Sequence, residues 1–148
     1  MYNKNYQEKF EINIENYKKK SKIYKIAEKN GKGKEYSSYY NRLIFEGEYL
    51  NGKRNGKGNE YFYDNVLSFE GEYLNGKKWN GKGYNREGKL EFNLKEGKGY
   101  IKEYDFICDD NYLKYEGEYL NGERNGKGKE YNNDGDIIFE GEYSNGKR

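Results

Sequence analysis

The stretch GKRNGKG, Gly52 to Gly58, places glycines beside basic side chains, the composition of a loop that cradles phosphate. A P-loop keeps four residues between its first glycine and the Gly-Lys pair, and follows that pair with Ser or Thr to hold magnesium. Here three residues intervene, and Gly58 stands where the hydroxyl should be. The stretch also recurs along the chain, which fits a turn better than a nucleotide site. Paired acids offer a second chemistry: Glu46 with Glu48, Glu70 with Glu72, Glu116 with Glu118 and Glu140 with Glu142 have the side chains for acid and base catalysis. A glycosidase sets one such pair across one cleft, whereas repeated copies facing lysines across a sheet read as a charged ladder. Cys108 is the sole thiol, and Asp109 and Asp110 beside it would raise its pKa and blunt it as a nucleophile. With Asp105, those acids lack the spaced ligands and glycine of an EF-hand loop. There is no His, hence no Ser-His or Cys-His pair and no imidazole ligand. The residues predict a protein that is not an enzyme, with no cofactor and no metal site.

What must position these residues is a repeated unit. FEGEYLNGKRNGKGNEY, from Phe45, returns almost unchanged as YEGEYLNGERNGKGKEY from Tyr115. The anchor [FY]EGEY starts at Phe45, Phe69, Tyr115 and Phe139, a period near 23 residues with one copy hidden between the second and third. That copy is KLEFNLKEGKGYIKEY, Lys89 to Tyr104, with a shortened turn and Phe92 in the place of the last Tyr of the anchor. A variant, KIYKIAEKNGKGKEY, opens the array at Lys22. A second anchor, GKG, begins at Gly31, Gly56, Gly81, Gly97 and Gly126.

Within FEGEY the rings and the glycine alternate with acids, so Phe45, Gly47 and Tyr49 share one face of a strand and Glu46 and Glu48 the other. The Asn-Gly letters that follow accept positive φ, and KGNEY reads as a second short strand, so each unit is a β-hairpin. Gly58 and Tyr61 are three apart and cannot share a face of a regular strand, which predicts a glycine bulge near Gly58. The residues that build the array are Gly47, Tyr49, Gly52, Gly56 and Gly58 in one unit and Gly71, Tyr73, Gly76, Gly81 and Gly83 in the next. Phe92, Gly97 and Gly99 follow, then Gly117, Tyr119, Gly122, Gly126 and Gly128, and finally Gly141 and Tyr143.

The pattern YxGxYxxGxxxGxG at this period resembles the MORN repeat, membrane occupation and recognition nexus, over Lys22 to Arg148. The departures are Tyr where that family often has Trp, an inserted Trp79 and the trimmed fourth hairpin. The resemblance implies an all-β ribbon of successive antiparallel hairpins forming one elongated, open-ended twisted sheet, with aromatics packed over glycines. Residues 1–21 form an N-terminal segment that could supply a cap strand. The array fills 22–148, with hairpins near 22–36, 45–61, 69–84, 89–104 and 115–131 and a partial one at 139–148. Six units at two strands each would give a ribbon roughly 50 to 60 Å long.

Composition narrows the function. Leu, Ile, Val and Phe are scarce, but 19 tyrosines supply ring area, and 28 basic residues nearly balance 26 acidic ones at a net charge of +2. That balance argues against nucleic acid, whose binding is driven by phosphate neutralisation. With a lone Cys and no apolar run long enough to span a bilayer, the expected setting is intracellular and cytoplasmic, or peripheral to a membrane. The first functional reading is a non-enzymatic scaffold for protein partners. The second is binding of anionic phospholipid through a turn edge of Lys53, Arg54, Lys57, Lys77, Lys78, Lys82, Arg124 and Lys127, joined by YKKKSK at Tyr17 to Lys22. A third, implied by the resemblance, is an accessory array working with a separate enzyme, since MORN repeats accompany lipid kinases and methyltransferases and some bacterial relatives are described as antitoxins. The strand Phe139 to Tyr143 would present an open edge for a partner or a second copy, edge to edge or end to end.

Overall fold

The computed structural model describes residues 23–27, 29–38, 41–107 and 110–148. Segment 1–21, the YKKKSK run, Cys108, Asp109 and the Asp110 side chain lie outside the described residues. The strands are β1 (Ile23–Ala27), β2 (Gly31–Ser37), β3 (Leu43–Leu50), β4 (Lys53–Tyr61), β5 (Leu67–Leu74) and β6 (Lys77–Tyr84). They continue as β7 (Leu90–Leu94), β8 (Gly99–Ile107), β9 (Asp110–Leu120), β10 (Glu123–Tyr131) and β11 (Ile137–Tyr143). All pairing is antiparallel between chain neighbours, in an open seven-stranded ladder β1 to β7 and a four-stranded ladder β8 to β11. There is no helix among the described residues.

Two-residue turns set this order. Asn51 and Gly52 have φ of 51° and 74°, and Asn75-Gly76, Asn121-Gly122 and Asn145-Gly146 repeat the left-handed pair that a tight hairpin with right-handed strand twist requires. The turns also bond to one another. Gly76 donates its N–H to the Arg54 carbonyl (2.8 Å), Gly97 to Trp79 (2.7 Å), Gly122 to Gly97 (2.9 Å) and Gly146 to Arg124 (2.9 Å). A spine of stacked turns therefore runs along one edge of the ribbon and continues across the break between the two ladders.

The glycine bulge expected near Gly58 is present and centres on Gly56. Gly47 pairs with Gly58 and Tyr49 with Arg54, so the extra residues fall at 55–57, where Gly56 has φ of 94°. The Glu48 carboxylate accepts the Lys57 N–H at 2.7 Å and clamps this bulge, as Glu118 does for Lys127 at 2.9 Å. Tyr61 need not share a face with Gly58. Its hydroxyl donates to Glu46 at 2.7 Å on the charged face, and the register shift at that end, between Glu60 and Tyr61, places the extra residue, Ser68, on β5.

Glycines line up across the strands: Gly33, Gly47, Gly58, Gly71 and Gly81 are successive ladder partners in the first sheet, and Gly117, Gly128 and Gly141 in the second. Rings cover them. Phe45, Phe69 and Tyr115 are fully buried, and a Cβ at Gly58 would lie 2.6 Å from the Phe45 ring. Register also corrects two alignments made by letters. Gly81 stands where Gly58 stands, opposite Gly71, which leaves Gly83 in the place of Glu60. Phe92, opposite Gly83, takes the first ring position of its anchor, and Leu94 takes the glycine position.

The ladder is interrupted once. Between β7 and β8 one isolated bridge, Lys95 with Lys98, is formed at the turn. Leu94 and Ile101 end the two glycine rows and are buried, so core packing joins what the hydrogen bonds do not. Phe45, Tyr49, Phe69, Tyr73, Phe92, Leu94 and Ile101 form one cluster, with Tyr119 packed against it. The ribbon also curls. At ~4.8 Å per strand a flat sheet would hold β4 and β8 about 19 Å apart, yet the Phe62 and Tyr104 ring centroids lie 5.2 Å apart.

Candidate functional site

On the ring face successive hairpins are tied by a carboxylate and a base at every junction but one. Arg54 directs Nε and Nη2 to the two carboxylate oxygens of Glu35 at 3.2 and 2.7 Å, and Nη1 to Glu60 at 2.6 Å. Its guanidinium lies 3.9 Å from the Phe45 ring centroid, and the Tyr49 hydroxyl donates to Glu35 at 2.8 Å. The same clasp recurs in the second sheet. Arg124 holds Glu103 at 2.9 and 2.8 Å and Glu130 at 2.5 Å, lies 4.1 Å from the Tyr115 ring, and shares Glu103 with the Tyr119 hydroxyl. Lys78 pairs with Glu60 at 2.6 Å over the Phe69 ring, and Arg148 with Glu130 over Phe139.

Protonation in these clasps is set by ion pairing. Burial alone would raise the Glu60 carboxyl, but Lys78 and Arg54 outweigh it and hold the pKa at about 2. Glu35 is likewise lowered: burial opposes the shift, and the hydrogen bond and charge of Arg54 overcome it. Burial, then Glu35, pushes the Tyr49 phenol up. The Tyr73 hydroxyl is buried beside Glu60 outside hydrogen-bonding geometry, and its phenol is raised well above the ordinary value by burial first and by that carboxylate next.

The trimmed hairpin breaks the series. Gly83 lies opposite Phe69 and Phe92, as Glu60 lies opposite Phe45 and Phe69, so the acid is missing. The turn that follows, Lys95 to Lys98, carries neither the ring of Tyr49 nor the base of Arg54 to the ring face. Acid, base and ring are lost together. The neighbouring turns close over the shortened tip, where Lys77 pairs with Glu123 at 2.7 Å. Beneath lies a groove of about 460 Å³ between the two ring faces. Tyr73 and Lys78 form one wall, Tyr119 and Glu103 the other, and Phe92 with Ile101 the floor.

The predicted turn edge divides on inspection. Lys53, Lys57, Lys77, Lys82 and Lys127 are exposed. Arg54 and Arg124 are not part of that edge: their side chains, 21% and 16% exposed, turn to the ring face. Lys78 joins them, locked to Glu60. Sequence reasoning passed over Glu35, Glu60, Glu103 and Glu130, although a Glu directly before the closing Tyr of a hairpin is the recurring letter that marks them. It also passed over Leu50, Leu74 and Leu120, which are exposed beside the turns. Among the described residues no cluster of three or more acids or thiols is placed to hold a metal, and no helix is long and apolar enough to cross a membrane.

Three segments match the MORN repeat family model: residues 45–66, 115–137 and 139–148. Those three segments are MORN repeats. No curated protein and no solved structure matches it. The first two matched segments contain the two complete arginine clasps, Arg54 with Glu60 and Arg124 with Glu130. The groove is lined from both sides of that division: Arg54, Glu60 and Tyr119 belong to matched segments, and Tyr73, Lys78, Phe92, Ile101 and Glu103 to the stretch between them.

Proposed function

We propose that this MORN array is a non-enzymatic scaffold that binds a protein partner in the groove over the trimmed hairpin. One observation carries the reading: the departures from the repeat are concentrated where the groove lies. In the regular hairpins each base is already occupied by a carboxylate and a ring, which is what holding neighbouring units together requires. At the junction between the third hairpin and the trimmed one that set is absent, and side chains from eight strands converge on a concave surface. Concave, aromatic-lined surfaces with a few fixed polar groups are where proteins take ligands. The test is selection of peptides from a displayed random library, followed by photo-crosslinking from an unnatural residue at position 77, on the groove rim, or at position 89, away from it. Selected peptides should label position 77 and spare 89. A selection whose binders never label position 77 overturns the groove as the docking surface.

A second reading, an anionic phospholipid surface at the turn edge, is favoured by the exposed leucines. Leu50, Leu74 and Leu120 are 49%, 42% and 43% exposed, and Lys53 and Lys77 face two of them across the hairpins. Apolar side chains among lysines suit an interfacial contact. Co-sedimentation with vesicles that contain or lack phosphatidylserine decides it: binding indifferent to the anionic lipid would remove this reading.

A further inference from the structure

We infer that the groove takes an extended peptide that is acidic toward both ends and apolar in its middle; this rests on the scaffold reading. Its length comes from β8, which lines the groove from Ile101 to Asp105 and continues back to Gly99 at the turn. At ~3.3 Å per residue that run spans about 20 Å, the reach of a six- or seven-residue strand. Beyond the Lys95–Lys98 bridge, β8 forms a ladder on its β9 side alone. Along its other edge β7 packs against it, with the Asn93 carbonyl and Leu94 beside Gly99 and Glu91 bonded to Lys102 and Tyr104, so the peptide lies over the side chains of the groove and not as an added strand.

The charge pattern fixes the chemistry. Bases outnumber acids along the lining, with Glu60, Glu103 and Asp105 set against Arg54, Lys77, Lys78, Lys102 and Lys114, and of these Lys102 is held by Glu91 outside the groove. In the middle the charges are spent on one another: Glu60 is held by Arg54 and Lys78, and Glu103 by Arg124. Phe92 and Ile101 beneath are core residues, 7% and 1% exposed, so a neutral, apolar side chain fits best against the edge they leave. The ends differ. Lys77 pairs with Glu123 at the turn end, with 42% and 37% of their side chains exposed, and Lys114 with Asp105 at the opposite end, with 48% and 27%. Exposed pairs contribute little to stability, so either lysine can exchange its internal carboxylate for one brought by a partner.

Three synthetic heptapeptides test this: one with two acidic residues at each end around a Leu-Phe-Leu centre, one with lysines in place of the acids, and one of the acidic composition scrambled. Trp79, the single tryptophan, packs beside Gly97 at the trimmed turn and supplies a fluorescence readout. The acidic-ended peptide should bind at least tenfold more tightly than the other two, and more weakly as salt rises. Lys77→Gln with Lys114→Gln should weaken it about tenfold without moving the melting temperature. Equal or tighter binding of the lysine-ended peptide, or indifference to the double substitution, overturns the acidic assignment. If those peptides still label position 77, the scaffold reading survives. If no peptide binds and library selection is also empty, the scaffold reading falls with it. Displacement of the acidic peptide by phosphatidylserine vesicles, lost in the double variant, would assign the same lysines to a membrane and overturn the peptide.

Discussion

Arg54 forks onto Glu35 of the preceding hairpin, with two nitrogens at 3.2 and 2.7 Å from its two carboxylate oxygens. The pair is a tie between repeats, since each hairpin alone would be marginal in water and the array gains stability from its interfaces. Removing one member leaves the other charge partly buried without its fork. Arg54→Ala should therefore destabilise the protein by about 2 to 4 kcal/mol. A double-mutant cycle with Glu35→Gln should return a coupling of about 1 to 3 kcal/mol in urea melts. Additive losses would mean the fork is ornamental to the interface.

The glycine rows make a sharper demand. A Cβ at Gly117 would lie 2.6 Å from the Gly128 Cα and 2.7 Å from the Lys127 carbonyl oxygen, backbone atoms that cannot swing aside. Gly117→Val should cost several kcal/mol, on the order of other overpacked core sites. Gly76→Asn is the milder control, because its position is open to solvent and Asn is among the side chains that best tolerate a positive φ. Equal melting temperatures for the two variants would sink the close-approach argument.

Much of this fold is legible from letters because the turn chemistry and the alternation are local. Asn51-Gly52 encodes a tight turn by the φ values it accepts, and FEGEY encodes two faces by parity. The position of Arg54 was within reach by the same rule. Once the turn is confined to Asn51 and Gly52, the strand resumes at Lys53, and Arg54 falls opposite Tyr49 on the ring face. Starting the second strand only at KGNEY hides this and sends the arginines to the basic edge. The place of Gly83 was beyond reach. The third hairpin inserts one letter, Trp79, and its bulge is one residue shorter than in the second, so letters that match, GKG with GKG, occupy ladder positions two apart. Bulge length is set by pairing with the neighbouring strand, and a single sequence does not display it. The groove depends on that shift, and so it was invisible too.

Acid should loosen the clasps in a defined window. Glu60 is lowered to about 2 in the folded chain, against about 4.3 for an unperturbed Glu. A depressed carboxylate stabilises the fold fully above its unfolded pKa and loses that contribution as pH falls through its folded one. About 2 to 3 kcal/mol should therefore disappear between about pH 5 and pH 2, with Glu35, also lowered, adding to the same slope. Glu60→Gln should be less stable at neutral pH and should flatten the acid limb of a melting-temperature profile. A wild-type profile that is level across this window would show that the carboxylates are not held as described.

The two binding readings separate at Leu50 and Lys53, which flank the second turn, are exposed and do not line the groove. Leu50→Ser with Lys53→Glu removes an apolar contact and reverses a charge on the turn edge, far from Phe92 and Ile101. Because neither side chain is buried, the melting temperature should hold within about 2 °C, as exposed substitutions usually allow. Peptide binding in the groove should be unchanged, since nothing that touches the peptide has moved. Vesicle binding, where present, should weaken, because the lipid contact would draw on leucine insertion and lysine charge together. A variant that loses peptide and keeps vesicles would invert the assignment, placing the protein partner on the turn edge and the lipid elsewhere.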